Sequence, residues 1–249
     1  MNHMKVVYTA LFGNYDQLIS APISSEEICY ICFTDQKIKD SKGWRIIQVD
    51  SEASNFSKAM LNRYYKINPH LFFSDYDSSL YVDANIEIIK DPSFLFDKYL
   101  KNADIAVPKH FSRNCIFSEA TECIIVGKDK ASRIRKQMKK YKAEGMPENF
   151  GLGENNIIFR NHNDIKVKKI MGEWWREMNT ESSRDQLSFG YILWKNKSQF
   201  LYMDESSRAG KGFFKYHMHN EVASKRHVSR MHHKLSVKFR KVIYFNLKY

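Results

Sequence analysis

Short apolar segments alternate along this 249-residue chain with longer segments whose apolar residues recur at helical spacing. Such alternation favours an α/β fold, in which helices cover both faces of a largely parallel sheet. Hydrophobic residues make up 43% of the chain and can build that core. No apolar run approaches the roughly 18 residues that a membrane-spanning helix needs. Strands are predicted at 5–12, 28–33, 44–49, 79–82, 105–107 and 156–160, and helices at 57–68, 93–100, 119–141, 165–178 and 184–194.

Polar residues directly follow several of these predicted strands. Asp35 follows the second strand, Asp50 follows the third, and Asp83 and Asn85 follow the fourth. In parallel α/β sheets, ligands bind just outside the carboxyl ends of the strands. Asp and Asn at such positions also cap helices and turns, and at any single site that structural role is an equal alternative. Taken together, the residues indicate a ligand site at this edge.

Asp83 and Asn85 form the sharpest local feature. Two oxygen-bearing side chains at this spacing can converge on one hard cation, and their chemistry suits Mg²⁺ or Mn²⁺. Asp75 and Asp77 have the same spacing but precede the strand, so they would lie at the opposite edge of the sheet. The sequence therefore favours Asp83 and Asn85 as metal ligands.

A second polar cluster lies near the end of the predicted domain. His217 and His219 point the same way if the segment is extended, so that one of them could complete the metal site. A surface pair is the alternative. Just upstream, Lys211 and Lys215 stand in a segment with two glycines, where backbone N–H groups and positive charge suit a phosphate.

Asp185 falls at the start of a predicted helix. Such an Asp usually stabilises the helix N-terminus. The functional alternative is a carboxylate directed into a cleft, where it acts as a general base or as an electrostatic stabiliser.

These segments together resemble the DUF616 family, also called the TOD1/MUCI70 glycosyltransferase-like domain, of the GT-A type of nucleotide-sugar glycosyltransferase. They occur in family order over about residues 5–220. The segments are VYTALFGNYD at 7–16, FTD at 33–35, RYYK at 63–66, PHLF at 69–72, YVDANI at 81–86, KH at 109–110, RNCI at 113–116, EA at 119–120, RDQLSF at 184–189 and HMHN at 217–220.

The resemblance implies a GT-A-like, Rossmann-related fold with a mixed, mainly parallel sheet. It also implies roles for particular residues. The metal would be held by Asp83, Asn85 and either His217 or His219. Asp185 resembles the acidic residue that opens a cleft helix near the reacting carbon. The nucleotide and donor sugar would be bound by Thr9, Ala10, Asp35, Lys58, Arg63, Glu154 and Asn155.

The implied reaction is metal-dependent hexosyl transfer from a nucleotide-sugar, in particular a UDP-sugar, to a glycan or lipid-linked acceptor. Its setting would be surface polysaccharide or lipopolysaccharide synthesis. The metal, with Lys211 or Lys215, would stabilise the leaving diphosphate. Asp185 would deprotonate the acceptor if the reaction inverts, or steady the oxocarbenium-like sugar if it retains.

The chain is basic, with a net charge of +12, and eight of its Lys and Arg residues lie in 222–249 without a single Asp or Glu. We therefore predict two units, a glycosyltransferase domain at 1–221 and a basic amphipathic tail at 222–249. Apolar residues of the tail fall on one helical face, which suits an anionic membrane surface. A last helix packed on the body is the alternative. The apolar residues of that face are Val228, Met231, Leu235, Phe239 and Val242.

Two other functions compete with sugar transfer. A nucleic-acid-binding protein would use the basic tail, but no recognition motif accompanies it, so we expect no nucleic-acid partner. A hydrolase of the same fold would release free sugar from the donor. The segment at 1–15 lacks the pattern of a signal peptide, and the four cysteines have mostly apolar neighbours. These features predict reduced thiols in a cytoplasmic protein, peripheral on the inner face of the membrane.

Overall fold

The computed structural model describes residues 4–22, 27–208 and 212–219. The basic tail, Lys211 and Asn220 lie outside the described residues. Within the described ranges no helix is both long and apolar enough to cross a bilayer. The strands are β1 (Lys5–Leu11), β2 (Ile28–Thr34), β3 (Arg45–Gln48), β4 (Ser78–Val82), β5 (Ile86–Ile88), β6 (Ile105–Pro108), β7 (Ile157–Arg160), β8 (Leu201–Met203) and β9 (Phe214–Tyr216).

Six α-helices connect and cover these strands in the described part of the chain. The first helix begins after Ser57, whose side chain accepts a hydrogen bond from the Met60 N–H, and it ends before Pro69. This arrangement of cap and proline follows directly from the sequence. The helices are α1 (Lys58–Ile67), α2 (Ser93–Leu100), α3 (Ile116–Val126), α4 (Ala131–Ala143), α5 (Ile165–Thr180) and α6 (Asp185–Lys195).

Seven strands form the main sheet, in the order β3-β2-β1-β4-β7-β6-β8. Strand β7 is antiparallel to both of its neighbours, whereas all other adjacent pairs are parallel. Strands β5 and β9 pair separately as a small antiparallel sheet. The predicted α/β class with a mixed, mainly parallel sheet is confirmed.

The structure corrects the sequence prediction in two places. The helix predicted over 119–141 is two helices, because Gly127 adopts a left-handed conformation with φ of 73° and ends α3 there. Strands β5, β8 and β9 were not predicted. Each has only three residues, which is too short for an alternating pattern to stand out.

Both faces of the main sheet are buried along β1, β2, β4, β6 and β7, which accounts for the largely apolar character of these strands. Tyr8 and Tyr81 face the side covered by α1, α5 and α6, where they pack with Trp174. Val7 and Leu80 face the other side, where they pack with residues of α2 and of the small sheet.

The strand directions determine which loops meet. The carboxyl ends of β1, β2, β4 and β6 lie at one edge of the sheet, and the antiparallel β7 begins at that same edge. The loops that follow β1, β4 and β6, one side of α1, the residues before β7 and the start of α6 line one cavity of about 870 Å³. A cavity of this size fits a small organic ligand.

Candidate active site

A buried lysine lies at the centre of the cavity. The Lys66 ammonium is in the last turn of α1, is only 1% exposed, and lies 2.7 Å from Asp185 Oδ2 and 3.3 Å from Asp83 Oδ1. Arg63, one helical turn earlier, places its Nε 3.7 Å from the same Asp185 oxygen. Buried charges need such partners, because removing them from water is costly. The cluster joins β4, α1 and α6.

Asp185 is almost fully buried and lines the cavity as the first residue of α6. Burial alone would raise the pKa of its carboxyl, but the charges of Lys66, Arg63 and Arg184 outweigh burial and hold that pKa well below its ordinary range. Burial likewise opposes the charge on Arg63, yet Asp185 and Asp83 raise the pKa of its guanidinium. The side chain of Asp185 is thus a fixed negative charge at neutral pH.

Asp83 follows β4 and has a half-buried side chain on the cavity wall. Its Oδ1 accepts a hydrogen bond from the Tyr81 hydroxyl at 2.9 Å as well as the contact from Lys66. Asn85, two residues later, donates from Nδ2 to the His217 carbonyl at 2.8 Å, which ties this loop to β9. Neither Asp83 Oδ2 nor Asn85 Oδ1 forms a hydrogen bond with the described residues.

The two candidate histidines are separated by the structure. His219 lines the cavity together with Asp83 and Asn85, and its Nδ1 lies 2.9 Å from an Asp16 carboxylate oxygen. His217 does not line it, because its Nε2 is 2.7 Å from Glu87 on the small sheet. Lys215 also pairs with Glu87, at 3.2 Å, and lies away from the cavity lining.

No group of three or more His, Cys, Asp or Glu side chains stands ready to hold a metal within the described ranges. One carboxylate, one amide and one imidazole, from Asp83, Asn85 and His219, line the same cavity. Oxygen and nitrogen ligands of this kind suit Mg²⁺ or Mn²⁺. Asp83 and Asn85 would each supply one oxygen and His219 one nitrogen. Such a set fits a cation that keeps water or substrate oxygens as its other ligands.

Residues at the β1 and β2 end organise a turn that lines the cavity. Asp35 accepts hydrogen bonds from the Gly13 N–H and the Ser51 hydroxyl, both at 2.8 Å, and lies 3.0 Å from the Lys58 ammonium. Burial opposes its ionisation, but these hydrogen bonds and the charge of Lys58 lower the pKa of Asp35. Asp35 itself does not line the cavity, so it acts through the turn and Lys58.

The two predicted residues at the end of β1 have different surroundings. Ala10 lines the cavity, and its carbonyl accepts a hydrogen bond from Asn62 at 2.6 Å. Thr9 is buried behind this lining, and its hydroxyl has no hydrogen-bond partner among the described residues.

The residues before β7 present unsatisfied polar groups to the cavity. Asn155 is 4% exposed, yet neither atom of its side-chain amide has a hydrogen-bond partner in the described residues. Glu154 is paired through Oε1 with Arg208 Nε at 2.6 Å, and its Oε2 is buried without a partner. Buried polar groups normally find partners, so these atoms mark a place for a polar ligand.

Several cavity residues were missed by the sequence analysis. Lys66 was missed even though it stands three residues after Arg63 on a predicted helix, a spacing that places both side chains on one face. The others are basic residues on loops, for which no local pattern exists. They are Arg113, Lys128, Arg184 and Arg208.

The cavity lies outside the carboxyl ends of the strands, where open α/β sheets bind their ligands. A family model described as TOD1/MUCI70, glycosyltransferase-like domain, matches residues 1–233. The chain therefore belongs to this family, and the resemblance inferred from its sequence is confirmed.

Two relatives from Arabidopsis thaliana are similar in sequence. One is the probable hexosyltransferase MUCI70, 27% identical over 75% of this chain and 36% of its own length. The other is the alkaline ceramidase TOD1, 25% identical over 75% of this chain and 47% of its own length. The chain thus spans less than half of either relative. Among solved structures, the apo bifunctional glycosyltransferase WbbM is similar, with a TM-score of 0.47 and 14% identity over 80% of this chain and 38% of that one.

Proposed function

We propose that this protein transfers a hexosyl group from a nucleoside-diphosphate sugar, in particular a UDP-sugar, to a hydroxyl of a glycan or lipid-linked acceptor. The observation that carries the proposal is the order of groups along one cavity. The organised turn after β1 comes first, the carboxylate of Asp83 lies at the centre, and the unpartnered amide of Asn155 follows. Nucleoside, diphosphate and sugar follow one another in that order in such a donor. A relative named a probable hexosyltransferase supports the reaction class.

A divalent cation, Mn²⁺ or Mg²⁺, is part of this proposal. Asp83, Asn85 and His219 would hold it, with His219 binding through Nε2. The Asp16 carboxylate at Nδ1 is the outer partner that orients metal-binding histidines. When bound, the cation would offset negative charge on the leaving diphosphate. His217 is left out of the proposed set because its Nε2 is paired with Glu87.

The chain's own charges define the remaining roles. Lys66 and Arg63 fix Asp185 in position and keep it ionised. A carboxylate with so low a pKa is a weak base, because a good general base has a pKa near the working pH. We therefore assign Asp185 the role of a fixed negative charge beside the sugar, where positive charge develops as the glycosidic bond breaks. Asn155 and Glu154 would hydrogen-bond the sugar hydroxyls.

A thermal-shift screen of UDP-, GDP- and CMP-sugars, with and without Mn²⁺, tests the proposal. A ligand that binds only the folded state raises the melting temperature. We expect a rise for UDP-sugars that is larger with Mn²⁺, and we expect Asp83→Ala to remove the Mn²⁺-dependent part. No rise with any nucleotide-sugar would contradict the proposed donor.

Product analysis separates transfer from hydrolysis. NMR of the products with and without added acceptor makes this measurement. Transfer predicts a new glycosidic bond that forms only with acceptor. Free sugar in equal amounts under both conditions would identify a hydrolase of this fold instead.

The cellular setting is proposed from the tail. Residues 222–249, which lie outside the described residues, would hold the enzyme at the anionic inner face of a membrane, where precursors of surface polysaccharide or lipopolysaccharide are assembled. Truncation after Glu221 should release the protein from vesicles that contain anionic lipid while donor turnover persists. Unchanged vesicle binding would refute this setting.

A further inference from the structure

The cavity continues beyond the place proposed for the donor sugar. Strand β6 lies three strand steps from β1, about 14 Å at roughly 4.8 Å per step. The loop after β6, the residues after α3 and the residue before α6 line this far end. Their basic side chains are Arg113, Lys128 and Arg184. The far end is therefore formed by different elements from those that surround the proposed nucleotide.

Two of the three cations at this end have no direct carboxylate partner among the described residues. Arg113 is paired with the buried Glu119, its Nε 2.6 Å from Oε2. Neither Arg184 nor Lys128 forms an ion pair with a described residue, and the buried Nε of Arg184 has no hydrogen-bond partner there. Burial lowers the pKa of the neighbouring His110, so this imidazole adds no positive charge at neutral pH. Lys128 and Arg184 thus line the far end without a direct ion pair, and Asp185, the carboxylate whose pKa the charge of Arg184 helps to lower, is already paired with Lys66 and Arg63.

The surface next to the far end is also basic. Lys128 lies just before α4, whose sequence ASRIRKQMKKYKA has six Lys and Arg residues and no acid. Its solvent-facing side is formed largely by these residues, with Arg133, Lys136 and Lys139 exposed. A positive surface beside a cavity raises the local concentration of anions and speeds their entry.

We propose that the far end is the acceptor subsite and that it selects acceptors carrying a phosphate or carboxylate group near the hydroxyl that is glycosylated. This assignment rests on the proposed glycosyltransferase function. The Arg184 guanidinium would bind the anion through paired N–H groups, and Lys128 would add a second charge-assisted hydrogen bond. A neutral acceptor would leave the buried Arg184 N–H without a partner, which disfavours its binding.

Binding measurements with simple sugars test the subsite directly. Glucose 6-phosphate, glucuronate and glucose are titrated into the full chain saturated with UDP and Mn²⁺, so that the phosphate-binding part of the donor site is filled. We expect both anionic sugars to bind at least about 10-fold more tightly than glucose. The two anionic probes also distinguish phosphate from carboxylate as the preferred group.

Charge-removal variants locate the effect. Lys128→Gln and the double variant Lys128→Gln with Arg184→Gln should lose the preference for anions, the double variant completely. Lys166→Gln with Arg176→Gln removes the same charge from exposed positions on α5 and serves as the matched control, with the preference retained. Lys128 is exposed, so its variant stays informative even if Arg184→Gln fails to fold.

The outcomes separate this inference from the proposed function. If UDP binds but glucose and the anionic sugars then bind with equal affinity, the proposed subsite is wrong and the proposed donor site is unaffected. An equal loss of preference in the α5 control would overturn it as well, because the effect would then be one of net charge. Failure of UDP and every nucleotide-sugar to bind would overturn both the function and the acceptor assignment.

Discussion

Two pairs of Asp or Asn residues with the same spacing lie at opposite edges of the main sheet. Asp83 and Asn85 follow β4 and line the cavity, close to Lys66. Asp75 and Asp77 precede β4, are exposed, and lie among backbone turns at the other edge. One strand thus has a polar pair at each end, and at its carboxyl end Asp83 contacts the buried charge of Lys66 from α1.

The other edge uses its polar residues to hold loops together. Asn163, which follows β7, donates hydrogen bonds to the carbonyls of Ser74 and Tyr76 at 3.1 and 2.9 Å. The Asp77 N–H donates to the Met4 carbonyl at 3.0 Å. The Asn163 bonds join a side chain to backbone carbonyls, the Asp77 bond joins two backbone groups, and none of these residues lines the cavity. The direction of the strand, and not the local spacing, therefore distinguishes the cavity edge from the edge that is occupied by turns.

The largest expected effect is at Asp185. Asp185→Asn leaves Asp83, at 3.3 Å, as the carboxylate partner of the buried Lys66. We therefore expect a loss of about 3 kcal/mol in the free energy of unfolding at neutral pH. Donor turnover should fall about 100-fold or more, because the fixed charge is removed. Urea unfolding and nucleotide release measure the two effects. A stable and fully active variant would contradict the proposed cluster.

The same variant gives a pH dependence. The folded pKa of Asp185 is lower than its unfolded value of about 3.9, so its contribution to stability is complete above that value and declines as the pH falls below it. The difference in unfolding free energy between wild type and Asp185→Asn should therefore shrink progressively as the pH falls below about 4. Urea unfolding across that range checks the sign. A difference that grows in acid would show that the wild-type carboxyl is not held ionised.

Asp83→Ala and Asp75→Ala compare the two edges at matched positions. Asp83→Ala should reduce Mn²⁺-dependent donor turnover by about 100-fold while the protein stays folded. Asp75→Ala should change turnover less than about 2-fold, because exposed residues away from a site have small effects. Equal effects of the two substitutions on turnover would remove the functional distinction between the edges.

Asn163→Ala should show the structural role of the other edge. Loss of its hydrogen bonds to two loop carbonyls should cost about 1–2 kcal/mol of unfolding free energy. Donor turnover at a temperature where the variant is folded should be unchanged. Thermal unfolding and a rate measurement on the same sample give both numbers. A rate that falls with unchanged stability would contradict this role.

Most of the fold was predictable because the strands of the main sheet are apolar throughout and the caps are explicit. The span predicted for α2 was correct, and β1, β2 and β4 were placed to within about one residue. The antiparallel direction of β7 was not predictable, since a strand that is buried on both faces reads the same in either direction. The break at Gly127 was missed because the apolar spacing resumes in α4.

The candidate site was only partly predictable. Residues directly after strands, such as Asp83, were expected at the cavity edge, and the structure places Asp83 there. The choice between His217 and His219 depends on the pairing of β5 with β9, which carries His217 toward Glu87. The role of Lys66 depends on its contact with Asp185, which lies 119 residues later in the sequence. Only the folded chain brings these two side chains together.

The sequence alone determined the alternation of strands and helices, the acidic residues that end the strands and the family to which the chain belongs. These are local properties, set by side-chain periodicity and by the residues that cap each element. Only the tertiary structure decided which charges face one another. The energy of a buried ion pair depends on distance and on exclusion from water, and both arise when distant segments pack together.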